Sequence, residues 1–224
     1  MHICLFDIDG TLLSSGGAGK AALEASLAEE FDLEPYPETV PYSGRTDRAI
    51  AFDLLALHAL EPSEANWQRL RAGYLRRLPG FLMRHQGKVL PGIAGLLQEL
   101  SRRADVAVGL LTGNIRDGAR LKLGHYGLYE HFAFGGFGDH HFDRNDVARE
   151  AMEVVRSHLQ SPVDLACCWV IGDTPLDVRC ARSIGARVAA VATGWHSVDE
   201  LAASEPDLLL SDLSDPDPLL RCWV

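Results

Sequence analysis

The chain has 224 residues, 47% of them hydrophobic and 23% charged, which is the composition of one large globular domain or of a core with a smaller insert. Its net charge of −10 argues against a nucleic-acid or anionic-membrane surface, which needs a basic stripe. No apolar run approaches membrane-spanning length and no charged-then-apolar leader opens the chain, so the expectation is a soluble, cytoplasmic protein.

Met1-His2-Ile3-Cys4-Leu5 has the apolar, β-branched content of a buried strand. It runs into Phe6-Asp7-Ile8-Asp9-Gly10-Thr11-Leu12. Two carboxylates thus leave a strand end together, ahead of a glycine that lets the chain turn. Alternation on an extended backbone puts Asp7 and Asp9 on one side. Such close like charges repel unless a cation sits between them or one holds a proton. The bland alternative is a solvated turn.

Residues 14 to 87 read differently. Gly19–Phe31, Asp47–Ala59 and Ser63–His85 are helix-like, and no convincing strand lies among them. Ser14-Ser15-Gly16-Gly17 opens this block, and Gln86 to Gly92 closes it. It reads as an all-helical insert reached by two flexible crossings, which leaves 1–13 plus 88–224 as the core. Trp67, Tyr74, Phe52, Leu54, Leu55 and Leu57 are expected to form the interior of the insert.

After residue 88, strands are expected at Val106–Leu111, Phe132–Phe134, Ala166–Ile171, Arg187–Val191 and Asp207–Leu210. Helical patterns alternate with them at Ile93–Arg103, Ile115–Tyr126, Asn145–His158 and Leu176–Ile184. This alternation implies an α/β class, a Rossmann-like parallel sheet with helices on both faces. The five cysteines fit no zinc template. Cys4, Cys167 and Cys168, inside apolar runs, are expected as buried free thiols.

In an open parallel sheet, ligands sit beyond the carboxyl ends of the strands. Three strand ends here carry competent chemistry: Asp7 and Asp9; Thr112-Gly113-Asn114; and Gly172-Asp173-Thr174-Pro175-Leu176-Asp177. Singly, Thr112, Asn114 and Asp173 read equally well as helix caps. Together they favour a metal and an anion. Asp7, Asp9 and Asp173 offer the hard oxygens that Mg²⁺ takes. Thr112 supplies a hydroxyl, and the helix start after it supplies N–H groups for phosphate oxygens.

These segments resemble the haloacid dehalogenase superfamily. Phe6–Leu12 resembles its first motif, Leu110–Asn114 its second and Val170–Asp177 its fourth; Ala181–Gly185 is similar to the segment that usually comes after the fourth. The resemblance implies a Rossmann-like core with a helical cap inserted after the first motif, and a subgroup similar to phosphoglycolate phosphatases. Ser43-Gly44-Arg45-Thr46-Asp47 in the cap is similar to a segment of such phosphatases.

The resemblance also implies an activity. Asp7 is the nucleophile on a small phosphorylated metabolite, and Asp9 the general acid and base. Mg²⁺ is held by Asp7, Asp9 through its backbone carbonyl, and Asp173, with Asp177 supporting it one helical turn on. Thr112, Gly113 and Asn114 meet the phosphate. For the third motif's basic residue both Arg144 and Lys122 stand open, and Arg45 is a candidate reader of the leaving group.

A phosphomutase shares this core, and a non-catalytic phosphate-binding domain would share the fold. A dehalogenase is disfavoured because Asp9 is present. Phosphonate hydrolysis is disfavoured because the position of its cap lysine reads Arg48. Gly16–Ala21 is not a phosphate loop, since position 14 is Ser14 and Ala21 follows the lysine. His140-His141 reads as a solvated pair. Monomer and homodimer both fit the sequence.

Overall fold

The computed structural model describes residues 1–34, 40–160 and 162–223. Six strands form one sheet: β1 (His2–Phe6), β4 (Val106–Leu111), β5 (Phe134–Gly136), β6 (Cys168–Gly172), β7 (Arg187–Val191) and β8 (Leu208–Leu210). Their spatial order is β5-β4-β1-β6-β7-β8, and every neighbouring pair is parallel. The chain builds outward from β1 through β4 to β5, then returns to the other side of β1 for β6. The order therefore reverses at β1, and a crevice opens where the flanking connections part.

Side-chain alternation sorts the strand residues onto two faces. Ile3, Leu5, Val170 and Val188 pack with α6 (Arg144–Leu159) and α7 (Pro175–Ser183). Cys4, Phe6, Trp169 and Ala189 pack with α4 (Ile93–Leu100) and α5 (Arg116–His125). Both faces are covered, which is why the central strands are nearly continuous apolar runs.

Between β1 and α4 lie α1 (Ala18–Phe31), α2 (Asp47–Leu57) and α3 (Glu64–Arg84). They close around their own cluster of Leu23, Ile50, Leu54, Trp67, Leu70 and Leu78. Thr46 and Ser63 cap α2 and α3 by accepting from Ala49 N–H and Asn66 N–H.

The crossings into this segment are not independent linkers. Two short strands that the pattern does not announce, β2 (Leu13–Ser14) and β3 (Lys88–Val89), pair antiparallel and tie the crossings together. At two residues each they are too short for a periodic signal. A Cβ at Gly87 would collide with the Tyr126 hydroxyl and the Ser14 carbonyl, so this seam needs glycine.

Two further corrections are local. The β6 run begins at Cys168, because Leu165–Cys167 forms a 3₁₀ turn capped by Asp164. Cys167 is therefore half-buried, whereas Cys4 and Cys168 are buried free thiols. The sheet's β5 is displaced toward the glycines after Phe134, and the short helices α8 (Val198–Ala202) and α9 (Asp217–Leu220) cover the last strands.

Candidate active site

Asp7 is the first residue past β1, at the reversal of strand order, and only 4% exposed. Asp173 follows β6 and is equally enclosed. The glycines at Gly10 and Gly194 let it sit there: a Cβ on either would strike the Asp173 carboxylate, and Gly10 has φ of +89° as well. Thr11 Oγ1 donates to Asp173 Oδ1 at 3.0 Å. Asp177 is fully buried in the first turn of α7. Its Oδ2 accepts from the Thr174 N–H and hydroxyl in a capping box, behind Pro175.

Asp7, Asp173 and Asp177 place one carboxylate oxygen each within 4.8 Å of one another. Arg144, buried at the start of α6, reaches into this group, with Nη2 2.9 Å from Asp7 Oδ1 and 2.5 Å from Asp177 Oδ1. Those distances are ion contacts, yet neither oxygen accepts a well-directed hydrogen bond. Burial pushes Asp7 up to about 6 against the pull of Arg144, with repulsion from Asp177 and Asp9 added. Burial, then Asp177 and Asp7, holds Asp173 well above the ordinary carboxylate range. Three crowded carboxylates with two unsatisfied oxygens and one guanidinium fit a small divalent cation, with Asp7 and Asp173 as ligands and Asp177 Oδ1 beside them.

Asp9 belongs to a second arrangement. The extended backbone ends at Phe6, so alternation no longer governs it, and the two carboxylates meet cations from opposite faces of the sheet. Lys122 of α5 donates to Asp9 Oδ2 at 2.5 Å and to Asn114 Oδ1 at 2.6 Å. Asn114 Nδ2 in turn donates to the same Asp9 oxygen at 3.0 Å and to Thr112 Oγ1 at 2.8 Å. Burial opposes the Lys122 charge, but Asp9, Tyr74 and Asp47 outweigh it and raise its pKa. Arg144 and Lys122 are thus both in the site, each on its own carboxylate.

The remaining sequence candidates are distributed around this pair. Gly113, Asn114, Lys122, Arg144 and Arg45 line one cavity with Asp7, Asp9 and Asp173. Thr112 does not: it is fully buried and props Asn114 from behind. Two N–H groups at the start of α5 are not offered to a ligand. Ile115 N–H donates to Asp47 Oδ2 at 2.9 Å and Arg116 N–H to Asp139 Oδ2 at 2.7 Å, so the protein's own carboxylates occupy the helix terminus.

Asp47 is a site residue that the sequence pattern does not single out. It stands in the 43–47 segment, whose backbone docks on the core: Asp47 N–H donates to the Gly113 carbonyl at 2.7 Å, and Arg144 donates to the Gly44 carbonyl at 3.3 Å. A Cβ at Gly113 would collide with the Arg45 carbonyl. Arg45 pairs with Asp53 at 2.6 Å. Arg48 lies outside the cavity wall, over the rings of Phe52, Trp67 and Phe142 and paired with Glu64. Tyr74 packs in the cap interior and also lines the cavity. Of the histidine pair, His140 is exposed and His141 contacts Glu150 at 2.6 Å.

A family model, haloacid dehalogenase-like hydrolase, matches residues 4–182. A phosphoglycolate phosphatase of Synechococcus elongatus is 29% identical over 222 residues, covering 96% of this chain and 95% of that protein. A hydrolase from Pseudomonas syringae has the same fold, with a TM-score of 0.72 at 21% identity over 99% of this chain and 98% of that one. CbbY from Rhodobacter sphaeroides, crystallised with phosphate, aligns with a TM-score of 0.70 at 18% identity over 96% of each chain. Among the described residues no helix is long and apolar enough to cross a membrane.

Proposed function

This chain belongs to the haloacid dehalogenase-like hydrolase family, and we propose that within it the protein is a Mg²⁺-dependent phosphatase of a small phosphomonoester, working through an aspartyl-phosphate. The observation that carries this reading is the pairing in one cavity of a buried, cation-contacted Asp7 with an Asp9 held by a second cation. A pure binding site needs no nucleophile beside a separate acid. The name of the Synechococcus relative points the same way.

Asp7 attacks phosphorus, the bond from phosphorus to the ester oxygen breaks, and Asp9 protonates the departing alkoxide. Asp9 then takes a proton from water, whose oxygen attacks the phosphorus of the acyl phosphate. The bond to Asp7 breaks and inorganic phosphate leaves. Arg144 holds Asp7 in place and presents positive charge beside the equatorial oxygens. Lys122 and Asn114 fix Asp9 on one rotamer. Mg²⁺ bound by Asp7 and Asp173, with Asp177 behind them and the Asp9 carbonyl nearby, would offset the repulsion between a carboxylate and a phosphate dianion.

The test is phosphate release from a panel of phosphomonoesters with and without Mg²⁺, alongside acid-quenched mass spectrometry. Mg²⁺-dependent release and a gain of one phosphoryl group on the peptide carrying Asp7 are expected. No release from any ester would reject the reading. An isomerised sugar phosphate in place of free phosphate would make the protein a mutase.

A further inference from the structure

The cavity above Asp7 and Asp9 encloses about 640 Å³. That is the range of sites that hold drug-sized ligands, far more than a phosphate and a two-carbon acid fill. Part of its lining comes from the cap and is apolar: Leu23, Val40, Ile50 and the ring of Tyr74. At its mouth stands Trp195, on the loop after β7, with 92% of its surface in water. An indole left uncovered beside an apolar wall gains from any flat, apolar group placed between them.

Charge gives the complementary half of the argument. Four lysines and arginines line the cavity, and each already faces an acid. Lys122 is on Asp9 and Arg144 on Asp7 and Asp177. Arg45 is on Asp53 and the Pro41 carbonyl, and Lys20 lies 3.8 Å from Glu24 and over the Tyr42 ring. A carboxylate on the leaving group would have to draw Lys20 or Arg45 away from its acid, whereas an uncharged ring asks nothing of them.

We infer that the leaving alcohol is uncharged and carries an apolar or aromatic ring, bound between the Leu23–Ile50 wall of the cap and Trp195. The inference rests on the phosphatase reading and narrows it. It also separates this chain from the relative named for phosphoglycolate, whose leaving group bears a carboxylate.

Three esters of primary alcohols test it, because their reacting ends are alike: ethyl phosphate, 2-phenylethyl phosphate and 2-phosphoglycolate, each with Mg²⁺. The phenylethyl ester is expected to exceed both others in kcat/KM by about tenfold or more, the worth of burying part of one ring. Trp195→Ala, at a fully solvated position, should cut the phenylethyl-to-ethyl ratio about threefold. Equal constants for all three, or a preference for 2-phosphoglycolate, would overturn the inference and leave the phosphatase standing. An unchanged ratio in Trp195→Ala would remove Trp195 from it. No phosphate from any ester would remove the function on which it rests.

Discussion

The core and the cap bury different things. In the core, the enclosed polar side chains crowd one edge of the sheet: Asp7, Thr11, Thr112, Asn114, Lys122, Arg144, Asp173 and Asp177. Among the described residues of the cap helices, the buried polar side chain is Ser26, whose hydroxyl donates to the Ala22 carbonyl one turn back. Many of the cap's charges reach water, as in Lys20 with Glu24, while Asp47 enters the site. Buried charge is costly without partners, so its concentration in the core marks the candidate site. To the cavity the cap adds an apolar part, Leu23, Val40 and Ile50, and the charges of Lys20, Arg45 and Asp47.

That contrast can be broken most directly at Asp7. Asp7→Asn should lower kcat by about 10⁴-fold or more, since no other group in the cavity can accept the phosphoryl group in its place. Circular dichroism should show the fold retained, and substantial turnover would defeat the nucleophile assignment. Asp9→Asn should cost about 10²- to 10⁴-fold in kcat, the usual worth of general acid–base help. Wild-type phosphate release there would strip Asp9 of that role.

The two cations sharpen the comparison within the core. Arg144 and both its carboxylates are nearly sealed, at 4%, 6% and 0% side-chain exposure, whereas Asp9 beside Lys122 keeps 38%. Arg144→Met leaves two buried carboxylates uncompensated and should destabilise the protein by about 3–5 kcal/mol. Lys122→Met should cost clearly less, because water can reach Asp9. Equal losses in denaturant unfolding would mean the two pairs are not different in kind.

The metal-free protein should also respond to pH. Asp7 and Asp173 titrate higher when folded than when unfolded, so between their unfolded values near pH 4 and a folded value of about 6 the native state binds more protons. Stability must therefore fall as pH rises through that window. Thermal melts without metal should show a lower Tm at pH 7 than at pH 5 from this source. Mg²⁺ should raise Tm more at pH 7, where the carboxylates are ionised; an equal rise at both would count against the acidic cluster as the metal site. The smallest effect belongs to the cap surface. Arg45→Ala removes a partly exposed ion pair with Asp53, worth about 0–1 kcal/mol. KM should move by less than about threefold, and a large rise would show that Arg45 turns from Asp53 to the substrate.

Much of this was legible in the chain. Period and length gave the six core strands and the alternation with helices, since buried parallel strands must be apolar on both faces. Asp7, Asp9 and Asp173, which line one cavity, stand out in the sequence because each follows such a run. Other features left no local trace. The β2–β3 seam is two residues per strand, and Leu165–Cys167 forms a turn where the apolar run suggested strand. Two N–H groups at the start of α5, which the pattern offers to a phosphate, are occupied by Asp47 and Asp139, distant in sequence.

Residue order alone establishes the parallel sheet, the helical insert and the acidic strand ends, because periodicity and strand termini are local properties of a chain. Which cation serves which carboxylate is not local. Lys122 and Arg144 are rivals for one role in the sequence, and folding sets each on its own carboxylate, since α5 and α6 pack on opposite faces of the sheet and reach Asp9 and Asp7 from opposite sides.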